Sequence, residues 1–139
     1  MIDRSGYIRP GFFLRGVVGP LMKRVGRLPV LTVTGRTSGQ PRSVPIGEPL
    51  ILDGKTYLLS GRGCTHWILN LRAAGRGTLR MNGKTRAFSA VEVTGEERAR
   101  VIAGYRARYG KSVDSYFFQL PDAEQHPTFR LDFEPDPAG

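Results

Sequence analysis

Two arginines, a threonine and a serine are gathered in Gly35-Arg36-Thr37-Ser38-Gly39-Gln40-Pro41-Arg42, directly after the β-branched run Leu28–Thr34 (LPVLTVT). Glycine at 35 and 39 allows tight backbone turns that aim main-chain N–H groups at a single anion. Thr37 and Ser38 add hydroxyl donors. Arg36 and Arg42 add guanidinium forks whose geometry suits phosphate or carboxylate oxygens. The pattern is neither a Walker A loop nor a G-x-G-x-x-G fingerprint, so NTPase and Rossmann readings lack their motif. An anion clamp and a solvated basic hairpin both remain compatible with these residues.

A second glycine-rich stretch, Ser60-Gly61-Arg62-Gly63, closes a later strand. Arg62 can join Arg36 and Arg42 around one anion, and Gly61 and Gly63 let a flat ligand lie close to the backbone. The alternative is a plain loop before the next helix. Trp67 and Asn70 are three residues apart near a helix start and so share a face. Together they can stack on and hydrogen-bond a heterocycle, although a lone tryptophan also serves as core. His66 and His126 lack neighbouring ligands, which speaks against a metal site. Cys64 has no C-x-x-C partner and reads as an inert thiol. No G-x-S-x-G elbow supports a hydrolase.

These residues sit in a chain of 139 residues with net charge +9, a length that suits one domain. Residues 1–90 hold fifteen Lys and Arg against three acids, whereas residues 91–139 hold six against nine. A basic excess of this kind suits an anionic partner such as nucleic acid, a membrane surface or a phosphorylated small molecule. The basic residues are not interleaved with an aromatic platform, which weakens a nucleic-acid reading. A single cysteine excludes an internal disulfide and points to a reducing cytosol. No apolar run approaches the roughly 20 residues of a spanning helix.

The elements that must position the site follow from pattern. Residues 11–27 form a broken amphipathic segment, read as a helix over one end of a barrel or, through its basic face, as a contact with anionic lipid. After the strand at 28–34, Ser43–Leu52 reads as a second strand interrupted at its edges by Pro45 and Pro49. Asp53-Gly54 turns into a strand over Lys55–Gly61. Thr65–Ala73 reads as a helix capped by Thr65. Asn82-Gly83 joins strands 78–82 and 85–94, and Thr94 opens a helix with acids in its first turn, running to Tyr109. A short helix over 112–121, a strand over Thr128–Phe133 and a frayed tail at 134–139 complete the chain. Hairpin-joined strands without a βαβ rhythm predict an α+β, mostly antiparallel split β-barrel over residues 28–133 with peripheral helices.

In this order the pieces resemble the deazaflavin-dependent nitroreductase family, actinobacterial split-barrel oxidoreductases that use coenzyme F420. The resemblance covers residues 28–110 and rests on LTVTGRTSGQPRSVPI, the DG turn, YLLSGRG, WILNLRA and the hairpin before TGEER. It implies hydride transfer from reduced F420 to a small electron-poor acceptor: a quinone, a nitroaromatic or an activated enone. By position, Arg36, Thr37, Ser38 and Arg42 match the loop that grips the cofactor's phosphate and acidic tail. Pro45 and Ile46 match the backbone beside the ring, Ser60, Gly61, Arg62 and Gly63 the second wall, and Trp67 and Asn70 the facing helix. Tyr109 and Tyr116 match the tyrosines of the substrate pocket. The proton then arrives from Ser60, Tyr109, Tyr116 or water. Thr37 stands where the family commonly has lysine, and the second wall is short, with Arg62 as substitute cation. The same barrel holding FMN or heme is the near alternative, and a non-enzymatic basic binding module the distant one. A monomer and a homodimer both suit the sequence.

Overall fold

The structure, a computed structural model, describes residues 28–135. The predicted amphipathic segment 11–27, with both its barrel-end and its lipid-contact readings, lies outside the described residues, as does the end of the tail. Seven strands form one antiparallel sheet: β1 (Val30–Thr34), β2 (Pro41–Pro45), β3 (Leu50–Leu52), β4 (Lys55–Leu59), β5 (Arg76–Met81), β6 (Lys84–Val93) and β7 (Thr128–Phe133). Three α-helices join them: α1 (His66–Ala74), α2 (Gly95–Tyr109) and α3 (Asp114–Gln119). No helix among the described residues is long and apolar enough to cross a membrane.

The strand order is β2-β1-β5-β6-β7-β4-β3, so consecutive strands β2 and β3 lie at opposite edges. Only residues 46–49 link them, and a connection of that length spans at most roughly 17 Å. The sheet must therefore curl until its edges face each other. The result is split-barrel-like, with a hydrogen-bond ladder that does not close. The expected single strand over Ser43–Leu52 is corrected here. Pro45 and Pro49 each remove a backbone donor, so one strand cannot run through both, and the chain crosses from β1 to β4 between them. Proline at both ends of β2 is tolerated because β2 is an edge.

The two hairpin turns have the geometry their dipeptides demand. Asp53 and Gly54 have φ of 53° and 75°, and Asn82 and Gly83 have φ of 54° and 76°, the left-handed pair of a type I′ turn. Strand alternation then sends Leu31, Val33, Leu79, Phe88 and Leu131 to the concave side, where Ile68 and Leu71 of α1 seal them. Each such burial stabilises by about 1.5–3 kcal/mol. A second cluster, Leu50, Tyr57, Val93 and Val101, fixes α2 against the β3–β4 edge.

One polar knot ties β4, α2 and β7 together. Tyr57 Oη donates to Glu97 at 2.7 Å, and Arg130 donates to both Glu97 oxygens at 3.0 and 2.8 Å. The Tyr57 hydrogen bond first, and Arg130 second, hold the Glu97 carboxyl below its ordinary value of 4.5. A depressed carboxyl adds stability above the unfolded value and loses it as pH falls through the folded one. Melting temperature followed from roughly pH 5 to pH 3 is expected to fall more steeply for the wild type than for Glu97→Gln. Parallel curves would remove Glu97 from the acid response.

Candidate active site

The hairpin between β1 and β2 folds on itself. Gly35 N donates to Gln40 O at 2.8 Å, and Gly39 N donates to Gly35 O at 2.9 Å with Gly39 at φ 71°. Ser38 Oγ accepts from Gln40 N at 3.2 Å. Arg36 is anchored across the cleft: its backbone N and its Nη1 both donate to Asn70 Oδ1, at 3.1 and 2.7 Å, and its Nη2 lies 3.5 Å from His66 Nδ1. The amides of Gly35, Arg36, Gly39 and Gln40 are thus spent on loop closure and anchoring. The Thr37 and Ser38 hydroxyls and the Arg36 and Arg42 guanidiniums belong to residues that line the cleft. Asn70 directs its carbonyl oxygen to Arg36 and also lines the cleft.

The second wall leaves β4 at Ser60. Its Oγ donates to the Gly63 carbonyl, and its N donates to Pro127 O at 3.0 Å. Gly63 occupies φ 90°, which suits glycine alone, and it lies within the turn rather than on the cleft. Gly61 faces the tyrosines at a distance that leaves no room for a side chain. A Cβ there would stand 2.9 Å from Tyr116 Cδ2 and 3.1 Å from Tyr105 Oη. α1 begins just beyond, at the N-cap position of Thr65. That residue makes no side-chain cap bond, and its Oγ1 is buried without a hydrogen-bond partner.

The third wall is phenolic. Tyr105 and Tyr109, one helical turn apart on α2, pack at 4.9 Å between ring centroids, and Tyr116 comes from α3. Burial pushes the Tyr105 phenol up, and Tyr116 and Tyr109 add to the effect. Burial also pushes Tyr116 up, with the Arg62 charge opposing. Both therefore keep their protons across the physiological range and act as donors. Tyr109 Oη reaches the Glu48 carbonyl at 3.4 Å, while Arg108 pairs with the Glu48 carboxylate at 3.0 Å. These contacts tie α2 to the β2–β3 crossover at the mouth.

The three walls enclose a cleft of about 1320 Å³. Arg36, Thr37, Ser38, Arg42, Pro45, Ile46, Ser60, Gly61, Arg62, Trp67, Asn70, Tyr109 and Tyr116 all line it. Gly63 alone among the expected site residues does not. Trp67 packs against the main core and also lines the cleft. Tyr105, not among the residues the sequence marked for the site, belongs to the cleft as well, and its four-residue spacing from Tyr109 was the available signal. His66, at the first position of α1, was likewise passed over.

The curled antiparallel sheet, with arginines and tyrosines lining one cleft, gives this protein a split-barrel-like fold. Residues 13–117 match the family of F420H(2)-dependent quinone reductases, and the chain belongs to that family. In structure it is similar to the F420-H2 dependent reductase FDR-A, with 26% identity, 76% of this chain and 95% of that one covered, and a TM-score of 0.58. It is also similar to a domain-swapped dimer, with 21% identity, coverage of 89% and 100%, and a TM-score of 0.59. HutZ, a heme storage protein from Vibrio cholerae, shares 19% identity over 85% and 91% of the two chains at a TM-score of 0.56. At these identities the last two are likenesses of fold alone. No curated protein matches the chain. The family's cofactor is F420 and its activity is that of a reductase.

Proposed function

We propose that the cleft binds F420 with its phosphate and acidic tail on Arg36, Arg42 and Arg62 and its uncharged ring against Pro45, Ile46 and Gly61. The observation that carries this reading is one cleft lined by all three of these arginines and also by Trp67 and the phenols of Tyr105, Tyr109 and Tyr116. Such a mixed lining fits a cofactor with an anionic tail and a flat, uncharged ring. When bound in reduced form, F420 supplies a hydride to the acceptor. The protein's own part is placement and electrostatics. Arg36, braced by Asn70, and Arg42 hold the tail, while the Thr37 and Ser38 hydroxyls donate to its phosphate oxygens. Gly61, having no side chain, leaves room for the Tyr116 ring that bounds the ring site. Tyr105 and Tyr116, kept protonated by burial, donate hydrogen bonds to an acceptor oxygen on which negative charge develops. The Ser60 proton is held by the Gly63 carbonyl, so proton delivery falls to Tyr109, Tyr116 or water. The acceptor is a flat, electron-poor molecule: a quinone first, with nitroaromatics and activated enones sharing the required plane and polarity.

The expected result of a fluorescence titration is saturable binding of F420, with FMN and heme binding at least about tenfold more weakly because neither carries the polyanionic tail. Equal or tighter binding of FMN or heme would transfer the site to that cofactor. Absence of any F420 binding would end the reading.

A further inference from the structure

His126 is fully buried and has no task in hydride transfer. Its ring lies between two main-chain carbonyls, with Nδ1 3.0 Å from Ser60 O and Nε2 2.6 Å from Leu120 O. Ser60 leads into the wall formed by Gly61 and Arg62. Leu120 is the C-cap residue of α3, the helix that carries Tyr116. One imidazole thus bridges the two walls whose closest approach is Gly61 against Tyr116. The ring is itself held in place. Phe117 packs on it at 4.2 Å and 30°, His126 N donates to Ala123 O at 3.0 Å, and Thr128 Oγ1 donates to His126 O at 3.0 Å.

A carbonyl oxygen only accepts, so each of the two contacts becomes a hydrogen bond only when the nitrogen facing it carries a proton. A neutral imidazole has one such proton, an imidazolium two. The flat face of Phe117 against the ring suits the cationic form. The charged and titratable groups on the surrounding elements are Arg106 and Tyr105 of α2, both against Phe117, and Asp114 and Tyr116 of α3. Asp122 and Glu124 belong to the 3-10 turn before His126, and Arg62 follows Ser60 after β4.

We propose that His126 is a positioning residue of the reductase cleft. As a donor at both nitrogens, it ties the Ser60–Arg62 wall to the tyrosine helix and sets the gap in which ring and acceptor meet. With one proton the ring holds one wall only, and the gap loosens. This inference rests on the reading of the cleft as the F420 site.

The chain has two histidines, so ring-nitrogen NMR of the ¹⁵N-labelled protein without ligand, compared with a His66→Gln sample, isolates the His126 signals. Two slowly exchanging ring N–H signals are expected for His126 in the folded protein. His126→Phe and His126→Gln are expected to raise the Kd for F420, measured by titration, by on the order of tenfold at a temperature far below melting. If the phenylalanine variant does not fold, the glutamine variant, which keeps a donor for one carbonyl, carries the comparison. A merely structural role would lower the melting temperature and leave the Kd unchanged. That result, or a single ring N–H signal, overturns the proposal. Failure of the wild type to bind F420 would remove the cofactor reading, and the ring-proton count alone would then decide whether the tether exists.

Discussion

Arg36→Ala is expected to raise the Kd for F420 by about 100-fold, while a deazaflavin that lacks the phosphate and acidic tail binds nearly as it does to the wild type. A single charge-assisted hydrogen bond contributes about 1.5–3 kcal/mol, which at 1.4 kcal/mol per decade covers roughly one to two decades. Arg36 has a second job that carries the effect to the upper end. Its backbone N and Nη1 converge on Asn70 Oδ1 at 3.1 and 2.7 Å, and its Nη2 lies 3.5 Å from His66 Nδ1, so truncation removes a cation from the tail site and two of the three contacts by which Arg36 fastens the hairpin to α1. Arg42→Ala removes charge alone from an edge strand, and its expected effect is about tenfold. Arg36→Lys keeps the charge but loses the planar fork, and falls between the two. Thr37 supplies no cation to share the load. Because exposed charges are screened at high salt, added salt weakens F420 binding more in the wild type than in Arg36→Ala. Unchanged tail-dependent affinity in the alanine variant would take the anion from this loop.

The reasons this loop was legible in the sequence, and its brace was not, are physical. A glycine-flanked run of donors after a β-branched strand is a local pattern, as are the Asp53-Gly54 and Asn82-Gly83 turns, whose positive φ angles only a few residue types tolerate. Asn70 accepting from Arg36 spans 34 positions and His126 facing Ser60 spans 66, and no short-range pattern encodes either pair. A histidine before proline in a loop resembles surface until β4 and α3 each bring a carbonyl to it. The break between β2 and β3 was half visible. Pro45 and Pro49 marked where pairing must stop, but nothing local said that the two halves belong to opposite edges of the sheet. Tyr105 was missed as a site residue because helical periodicity gives a face without saying whether that face meets core or cleft.

Gly61→Ala is expected to lower the kcat/KM of F420-dependent reduction by about 100-fold, the scale of an approximately 1 Å misplacement at a reacting pair. Stability should change little. The added methyl would stand 2.9 Å from Tyr116 Cδ2 and 3.1 Å from Tyr105 Oη, closer than carbon atoms pack. The Tyr105 hydroxyl is the far end of a flexible side chain and can give way. Tyr116 Cδ2 belongs to the ring near its root, on a helix of six residues whose C-cap carbonyl faces His126. Either α3 or the Ser60–Arg62 wall must therefore shift, and both line the cleft. Arg36 and Arg42 of the tail site lie on the other hairpin and only Arg62 moves with this wall, so F420 affinity should fall less than turnover. A double-mutant cycle separates this collision from other effects of the methyl group. Tyr116→Ala alone lowers turnover by removing a donor, but it also removes the obstacle, so Gly61→Ala added to it should cost almost nothing further. An equal penalty for Gly61→Ala in both backgrounds would mean that the methyl acts elsewhere, for instance directly on the ligand ring. Gly61 would then be required for the close approach of the ligand rather than for the seat of Tyr116.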